Sequence, residues 1–163
     1  YSDLGYYLLK EAMEQALNRP YDKWLGNNFY KPLGMDHTGF HPRQRWDLER
    51  IAPTENDREF RKQLVHGDVH DQGAAMLGGV SGHAGLFSNA RDMAVVMQML
   101  LNDGTYGGIR YLGQETIKEF TKTQFPLNGN RRGIGFDKTT RGQRRSDGRG
   151  QGRPIRRPRK ERW

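Results

Sequence analysis

The sequence contains no cysteine and no apolar run of the length that crosses a membrane. The absence of cysteine excludes disulfide bonds, thiol catalysis and zinc sites built from cysteine ligands. A bilayer-spanning helix needs about 20 apolar residues in succession, and no signal peptide is visible either. The 163 residues are enough for one domain. Because they open with Tyr1 rather than methionine, directly before an apolar periodic segment, we expect an internal fragment of a longer protein.

The net charge of +8 suggests an excess of Lys and Arg over Asp and Glu throughout the chain, but most of the chain has no such excess. Residues 131–163 hold 13 Lys and Arg against 3 Asp and Glu, a net of +10, which leaves 14 against 16, a net of −2, for residues 1–130. The basic character therefore belongs to the C-terminal part alone. A globally basic body that binds nucleic acid is not supported, and nucleic acid is a disfavoured partner.

Residues 139–163 are rich in Arg, Gly and Pro and contain no periodic apolar residues. Such a segment cannot bury enough apolar surface to offset its ordering entropy, about 1–2 kcal/mol per residue. We therefore expect a disordered tail, and its abrupt change of composition would also fit an out-of-frame reading. An alternative function is a nucleic-acid-binding module that contacts phosphates through this tail. Trp163 is the only aromatic residue of the tail, so base stacking has little support.

The spacing of apolar residues predicts helices over residues 4–17, 21–30 and 114–123, and a further helix between Ser88 and Asn102. Ser2 or Asp3 is expected to cap the first helix by accepting a backbone N–H. Ser88 is expected to cap the helix between Ser88 and Asn102 in the same way. The faces expected to point inward are Leu4, Leu8, Ala12 and Ala16 in the first helix and Met93, Val96, Met97 and Leu100 in the helix after Ser88.

The remaining segments predict loops and one strand. Residues 36–75 show weak periodicity and predict a long irregular stretch. The glycines that follow predict tight turns that need positive φ, rather than a phosphate cradle, because no Lys-Ser/Thr pair completes the phosphate-binding pattern. These are Gly78, Gly79, Gly82 and Gly85. The run Gly133-Ile134-Gly135-Phe136 is expected to begin a strand.

Four ordered segments carry a family resemblance. They are Tyr1-Ser2-Asp3, Pro32-Leu33-Gly34-Met35, the long block from Gly67 to Ser88, and Gly133-Ile134-Gly135-Phe136-Asp137. Together they resemble the class C β-lactamase-related family of serine hydrolases. The long block is similar to the branch with penicillin-binding-protein-4B-type enzymes and the β-lactamase-like modules fused to glycoside hydrolase family 3 domains in Bacteroidetes. The resemblance covers residues 1–138.

The resemblance implies an α/β protein with the β-lactamase/transpeptidase-like fold. Residues 1–138 would form part of that domain, mostly its α-helical region with little sheet. In this family the serine of a Ser-x-x-Lys motif attacks a carbonyl and forms an acyl-enzyme. The resemblance implies an amide or ester substrate, either a small molecule or a peptidoglycan-like peptide, with no cofactor. It also suggests a periplasmic or extracytoplasmic location, and a fused glycosidase domain is one further expectation for the parent.

The same resemblance assigns roles to single residues. Tyr1 would relay protons beside the lysine, and Asp3, where the family more often has Asn, would contact substrate or that lysine. The plainer alternatives are a half-buried surface tyrosine and a helix cap. Ser81, Gly82 and His83 are candidates for the substrate cleft, although His83 is more simply explained as a residue that positions a turn.

The reactive motif itself is not found in the sequence. No Ser or Thr has Lys three residues later, so we expect the nucleophile to lie upstream and the chain alone to be inactive. His37-Thr38-Gly39 matches the family's third motif literally, but it follows Tyr1 too closely and is rejected. A non-catalytic relic of the fold remains a further alternative. A metal site at His66 and His70 is disfavoured, since Gly67 lies between them and no Glu completes the motif, so no metal is expected.

Overall fold

In the computed structural model, residues 2–128 and 131–137 are described, and the chain divides into two compact units, Tyr1–Glu119 and Phe120–Trp163. The helices within the described residues are α1 (Leu4–Leu17), α2 (Tyr21–Leu25), α3 (Gln72–Met76), α4 (Ala90–Leu101) and α5 (Gln114–Thr121). A π-helix (Gly26–Tyr30) continues α2, and short 3₁₀ turns occupy Pro42–Gln44, Leu48–Arg50 and Pro126–Asn128. The strands are β1 (Pro53–Asp57), β2 (Gln63–His66), β3 (Thr105–Tyr106) and β4 (Ile109–Arg110), which form two antiparallel pairs. No helix in the described ranges is long and apolar enough to cross a membrane.

The predicted helices at the start of the chain are confirmed. Asn18 ends α1 in the left-handed conformation (φ 48°) and donates its backbone N–H to the last turn, as a C-cap residue does. The expected cap by Asp3 is wrong, because its side chain accepts no capping hydrogen bond. Ser2 Oγ instead lies 3.4 Å from the backbone nitrogen of Leu4. The carboxylate of Asp3 is therefore left for other contacts.

The core of the first unit forms where α4 packs on the segment after the π-helix. Its buried members are Tyr30, Leu33, Met35 and Met99. The predicted inward face of α4 is wrong in part, since Met93 and Met97 are 40% and 50% exposed while Met99 is 1% exposed. The helix is apolar around most of its circumference, so two different sets of apolar residues have the spacing of a buried helix face. Sequence spacing cannot decide which of them meets the core.

A polar junction fixes the start of α4. The N-cap is Asn89, whose side chain accepts from the backbone N–H of Asp92, so the prediction of Ser88 as the cap is wrong by one residue. Ser88 Oγ instead lies 2.7 Å from Thr38 Oγ1, which donates to Asp92 Oδ2 at 2.9 Å. Gly39 and Phe87 exchange both backbone hydrogen bonds in an isolated bridge. Thr38 is 1% exposed and therefore serves the structure of this junction.

The expectation of an irregular stretch over residues 36–75 is wrong where β1 and β2 form a hairpin. Both strands are short and mostly polar, so they give no alternating apolar signal. The turn is held by buried Asp57, whose carboxylate accepts from the backbone N–H groups of Glu59, Phe60 and Arg61 and from the Arg61 side chain. A single carboxylate thus organises a turn that hydrophobic periodicity cannot reveal.

The second unit contains the end of α5 and the turn that follows it. The expected strand at residues 133–136 is wrong, because Gly133 donates its backbone N–H to the Phe136 carbonyl and Gly135 has φ 72°. Ile134 donates to the carbonyl of Phe120. The hydrogen bond between Gly133 and Phe136 closes a turn, so residues 131–137 contain no extended strand. The expected tail at residues 139–163 lies outside the described residues.

Candidate functional site

Three segments bring the expected site residues together. Asp3 precedes α1, Asp71 precedes α3, and Ser81 and His83 lie in the glycine-rich loop before α4. One nitrogen of the His83 ring, Nε2, is 3.0 Å from Asp71 Oδ1 and 4.0 Å from Asp3 Oδ1. Tyr1 lies outside the described residues. The sequence prediction named Asp3, Ser81 and His83 but not Asp71, which becomes the fixed partner at the centre of this cluster.

His83 has a largely enclosed side chain, which is 6% exposed. Its Nδ1 lies 3.0 Å from Ser81 Oγ, and its Nε2 faces the carboxylate of Asp71. An ionised carboxylate can only accept hydrogen bonds, so Nε2 carries a proton and donates it to Asp71. In the neutral ring Nδ1 then accepts from the Ser81 hydroxyl. Both ring nitrogens are satisfied in this arrangement.

Asp71 is held by its own helix. It is the N-cap of α3, and its Oδ1 accepts from the backbone N–H of Ala74 at 2.7 Å. This backbone bond, followed by the hydrogen bond and charge of His83, lowers the pKa of Asp71, although desolvation opposes the shift. The carboxylate is therefore ionised at neutral pH. The sequence signal for it was the N-cap pattern at the end of the block from Gly67 to Asp71.

Two tyrosines of α1 pack against the imidazole of His83. The ring centroid of Tyr7 lies 5.1 Å away in an edge-on arrangement, and that of Tyr6 lies 6.3 Å away. Glycines permit this approach, because a Cβ on Gly73 would lie 2.1 Å from the Tyr7 hydroxyl and one on Gly82 would lie 3.0 Å from the Tyr6 carbonyl oxygen. Gly82 thus allows the loop to lie close to the first turn of α1.

Tyr7 is chemically unlike a proton-accepting phenol. Desolvation, followed by the charges of Asp71 and Asp3, raises its pKa. A tyrosine that accepts a proton near neutral pH needs the opposite shift, which neighbouring cations provide. Tyr7 is consequently a packing residue of this cluster and not its base.

The order Ser81, His83, Asp71 resembles a nucleophilic triad, but the geometry does not serve one. Ser81 is 3% exposed, so its hydroxyl is closed to a substrate. Three cavities beside the described residues, one of them about 320 Å³ and lined by His37, Trp46 and Arg50, have none of Asp3, Asp71, Ser81 or His83 in their walls. The cluster is a hydrogen-bonded junction between chain segments.

Asp3, Asp71 and His83 also offer three potential metal-ligand atoms within 4.8 Å of one another. A histidine ligand must present a lone pair to the metal, so a metal at Nε2 would replace the hydrogen bond between Nε2 and Asp71. His66 and His70 contact different groups, the carbonyl of Ile51 and the carboxylate of Glu55.

Comparison with known proteins gives a consistent family picture. The beta-lactamase family model matches residues 1–152. A protein of Escherichia coli K12 named "Putative D-alanyl-D-alanine carboxypeptidase" is 41% identical over 133 residues, which is 74% of this chain and 31% of that protein. A Salmonella paratyphi B protein of the same name is 40% identical over 134 residues, 75% of this chain and 31% of its own length. The chain thus spans about a third of the length of these relatives.

Two solved structures share the fold at low sequence identity. The octameric penicillin-binding protein homologue from Pyrococcus abyssi is 21% identical with a TM-score of 0.56, over 83% of this chain and 29% of that one. The D-amino acid amidase from Ochrobactrum anthropi SV3 is 21% identical with a TM-score of 0.53, over 76% of this chain and 33% of that one. The expectation of mostly helical structure with little sheet, within a β-lactamase/transpeptidase-like fold, is confirmed for the described residues.

Proposed function

Because the chain belongs to the beta-lactamase family, we propose that it is part of a serine hydrolase that cleaves an amide or ester bond through an acyl-serine intermediate. The observation that carries the proposal is the cluster around Asp3. Its side chain is 34% exposed and unused as a helix cap. It stands two residues after Tyr1, in the segment that resembles the family's tyrosine motif. A carboxylate left free at this position is available to a substrate or to a lysine.

The names of the relatives support a class of substrate. The Escherichia coli relative is named "Putative D-alanyl-D-alanine carboxypeptidase". We propose a peptide of peptidoglycan type, or a small ester of similar shape, as the substrate of the whole protein. Asp3 carries a negative charge where the family more often has Asn, so a substrate group that donates hydrogen bonds would suit it better than a carboxylate.

Tyr1 is the proposed proton relay. A serine hydroxyl is a weak nucleophile until a neighbouring base takes its proton, and a positioned base contributes about 10²–10⁴-fold to the rate. The competing tyrosine beside Asp3 is Tyr7, whose pKa is raised by desolvation and by two carboxylates. That shift leaves Tyr7 protonated at neutral pH and poorly suited to accept a proton, so the role proposed for Tyr1 rests on the family resemblance of Tyr1-Ser2-Asp3.

The 163-residue chain alone should not turn over substrate. It has no Ser-x-x-Lys sequence, and loss of the nucleophile costs about 10⁶-fold in a serine hydrolase. We expect no saturable hydrolysis of nitrocefin or of p-nitrophenyl acetate by the purified chain. Saturable turnover that survives repurification would contradict this expectation.

The hydrolase proposal itself is tested on the longer protein. A fluorescent penicillin or fluorophosphonate should label one serine in a Ser-x-x-Lys motif outside these 163 residues. Tyr1→Phe should slow labelling by about 10²–10⁴-fold, and Tyr7→Phe, which keeps the ring that packs on His83, is the matched control and should label at the original rate. Labelling of a serine within this chain, or equal rates for both variants, would overturn the proposal.

A further inference from the structure

We propose that His83 is a positioning residue that holds the glycine-rich loop and the Asp71 turn against the first turn of α1, and so fixes the Asp3 carboxylate. The mechanical part of this proposal stands on the described contacts alone. Its catalytic meaning rests on the proposed function, because only there does the place of Asp3 affect a reaction.

The first step is the orientation of the ring. Nδ1 is occupied by the Ser81 hydroxyl and Nε2 by the carboxylate of Asp71, both at 3.0 Å. A hydroxyl can donate or accept, whereas a carboxylate only accepts. Asp71 therefore dictates the tautomer with the proton on Nε2, and Ser81 adjusts to it. The side chain is 6% exposed, so little of the ring is accessible to solvent.

The second step is that Asp71 cannot follow a displaced ring. Its Oδ1 also accepts the backbone N–H of Ala74 at 2.7 Å and so belongs to the first turn of α3. A proton on Nε2 is thereby directed at a fixed acceptor. The rings of Tyr6 and Tyr7, both on α1, have centroids 6.3 Å and 5.1 Å from that of the imidazole. The imidazole therefore contacts residues of all three segments.

The third step concerns the two carboxylates that face Nε2. Asp71 takes the only proton at 3.0 Å, and Asp3 lies 4.0 Å away, beyond hydrogen-bond distance. Without the imidazole, two like charges would face each other with no donor between them, which is unfavourable. Asp71 is anchored by Ala74, so Asp3 and the first turn of α1 are the parts that would move.

The experiment exploits the shapes of two amides. The side-chain NH₂ of Gln can take the place of Nε2, and that of Asn the place of Nδ1. Both variants lose the ring current of the imidazole, so we expect the backbone amide NMR shifts of residues 3–7 in the 163-residue chain to change clearly more in His83→Asn than in His83→Gln, which keeps the donor to Asp71. His70→Gln and His70→Asn are matched controls, since His70 also contacts a carboxylate, that of Glu55, but is 66% exposed. Neither control should change residues 3–7.

A second measurement needs no substitution at His83. Long-range ¹H–¹⁵N NMR correlation of the imidazole rings should show His83 protonated at Nε2, and Ser81→Ala should leave that proton and residues 3–7 in place, because Asp71 dictates the position of the proton. A His83 ring protonated on Nδ1 alone would overturn the proposal. It also falls if Gln and Asn at position 83 behave alike, whether both are silent or both unfold the chain, because His83 would then act only by filling space.

Failure of this proposal is distinguishable from failure of the proposed function. In the longer protein we expect His83→Asn to lower kcat by up to about 10²-fold, as small displacements at reacting centres do, with His83→Gln close to the original enzyme. Serine labelling together with equal kcat for all position-83 variants would sink the positioning role and leave the hydrolase intact. The NMR differences without any serine labelling would leave the positioning role and sink the hydrolase.

Discussion

At the scale of the residue, Thr38 shows how a familiar tripeptide can serve structure alone. His37-Thr38-Gly39 matches a catalytic motif in letters, yet Thr38 is 1% exposed and donates to Asp92 across 54 positions of sequence. The same carboxylate oxygen accepts from the backbone N–H of His37 at 2.8 Å. The hydroxyl thus joins the chain before the hairpin to the start of α4.

Thr38→Val should destabilise the chain by about 1–3 kcal/mol, because it keeps the shape and removes a buried donor from Asp92. Thr38→Ser is the matched control, since it retains the hydroxyl and loses only a methyl group, which is worth about 1 kcal/mol. Urea unfolding followed by circular dichroism measures both. Equal losses for the two variants would mean that the methyl group, and not the hydroxyl, holds the junction.

The lowered pKa of Asp57 should make the stability of the hairpin sensitive to acid. The hydrogen bond from the Arg61 side chain is the first cause that lowers its pKa, and the backbone N–H groups of Phe60, Arg61 and Glu59 add to the shift. The group is ionised in the folded state well below its unfolded pKa of about 3.9. Its stabilisation is therefore complete above that pH and is lost as the pH falls below it.

Between pH 5 and pH 2 the free energy of unfolding should fall, and Asp57→Asn should flatten that fall while lowering stability at pH 7. Asp68→Asn is the surface control, because Asp68 pairs with Arg43 while 57% exposed. Urea titrations at several pH values compare the three proteins. A wild-type pH dependence that Asp57→Asn leaves unchanged would show that other carboxylates cause it.

At the scale of the element, the loop before α4 depends on glycine for two separate reasons. Gly78 and Gly85 both have positive φ, at 81° and 104°. A Cβ on Gly78 would meet nothing within 4 Å, whereas one on Gly85 would lie 2.2 Å from the carbonyl oxygen of Gly79. The first position needs only the backbone conformation, and the second also needs the space.

Gly78→Ala should therefore cost about 1–2 kcal/mol, the strain of a left-handed alanine. Gly85→Ala should cost about 3 kcal/mol or more, since overpacking adds about 1–3 kcal/mol to the same strain. Urea unfolding measures both variants. If their unfolding slopes are equal, the difference between their midpoints gives the cost of the contact between the new Cβ at position 85 and Gly79. Equal midpoints would mean that the loop moves aside at little cost.

The elements that sequence could predict are those that local rules define. Apolar spacing with Asn18 as a stop gave α1, and Asn102 marked the end of α4. The β1–β2 hairpin was not predicted because its turn is held by backbone hydrogen bonds to the Asp57 carboxylate, which leave no apolar pattern in the sequence. The buried face of α4 could not be predicted because Met97 and Met99 are the same residue type, and the apolar pattern does not distinguish which of them is buried. The pairing of His83 with Asp71 depends on turns between them, and no local rule fixes those.

At the scale of the whole molecule, α1 presents an apolar face to solvent. The sequence pattern expected this stripe to point inward, yet Leu4 and Leu8 are 67% and 73% exposed. The face of α1 that packs on this chain carries Tyr6 and Tyr7 instead. The chain spans about 31% of the length of the Escherichia coli relative.

Leu8→Gln should change the stability of the 163-residue chain by no more than about 0.5 kcal/mol, as exposed positions usually do. Gln is also a good helix former, so α1 should persist. Met99→Ala should cost about 2–5 kcal/mol by comparison. Binding of the dye ANS should fall in Leu8→Gln. Equal destabilisation by the two substitutions would show that Leu8 is packed within this chain.

The Thr38–Asp92 junction has a consequence for the order in which the chain folds during synthesis. Its bonds close a loop of some fifty residues, and Met99, which completes the cluster with Tyr30, Leu33 and Met35, is made after that loop. A nascent chain that ends before α4 holds the first part of the cluster with nothing to cover it. Synthesis must therefore pass Met99 before this cluster can be completed and the unit can become cooperative.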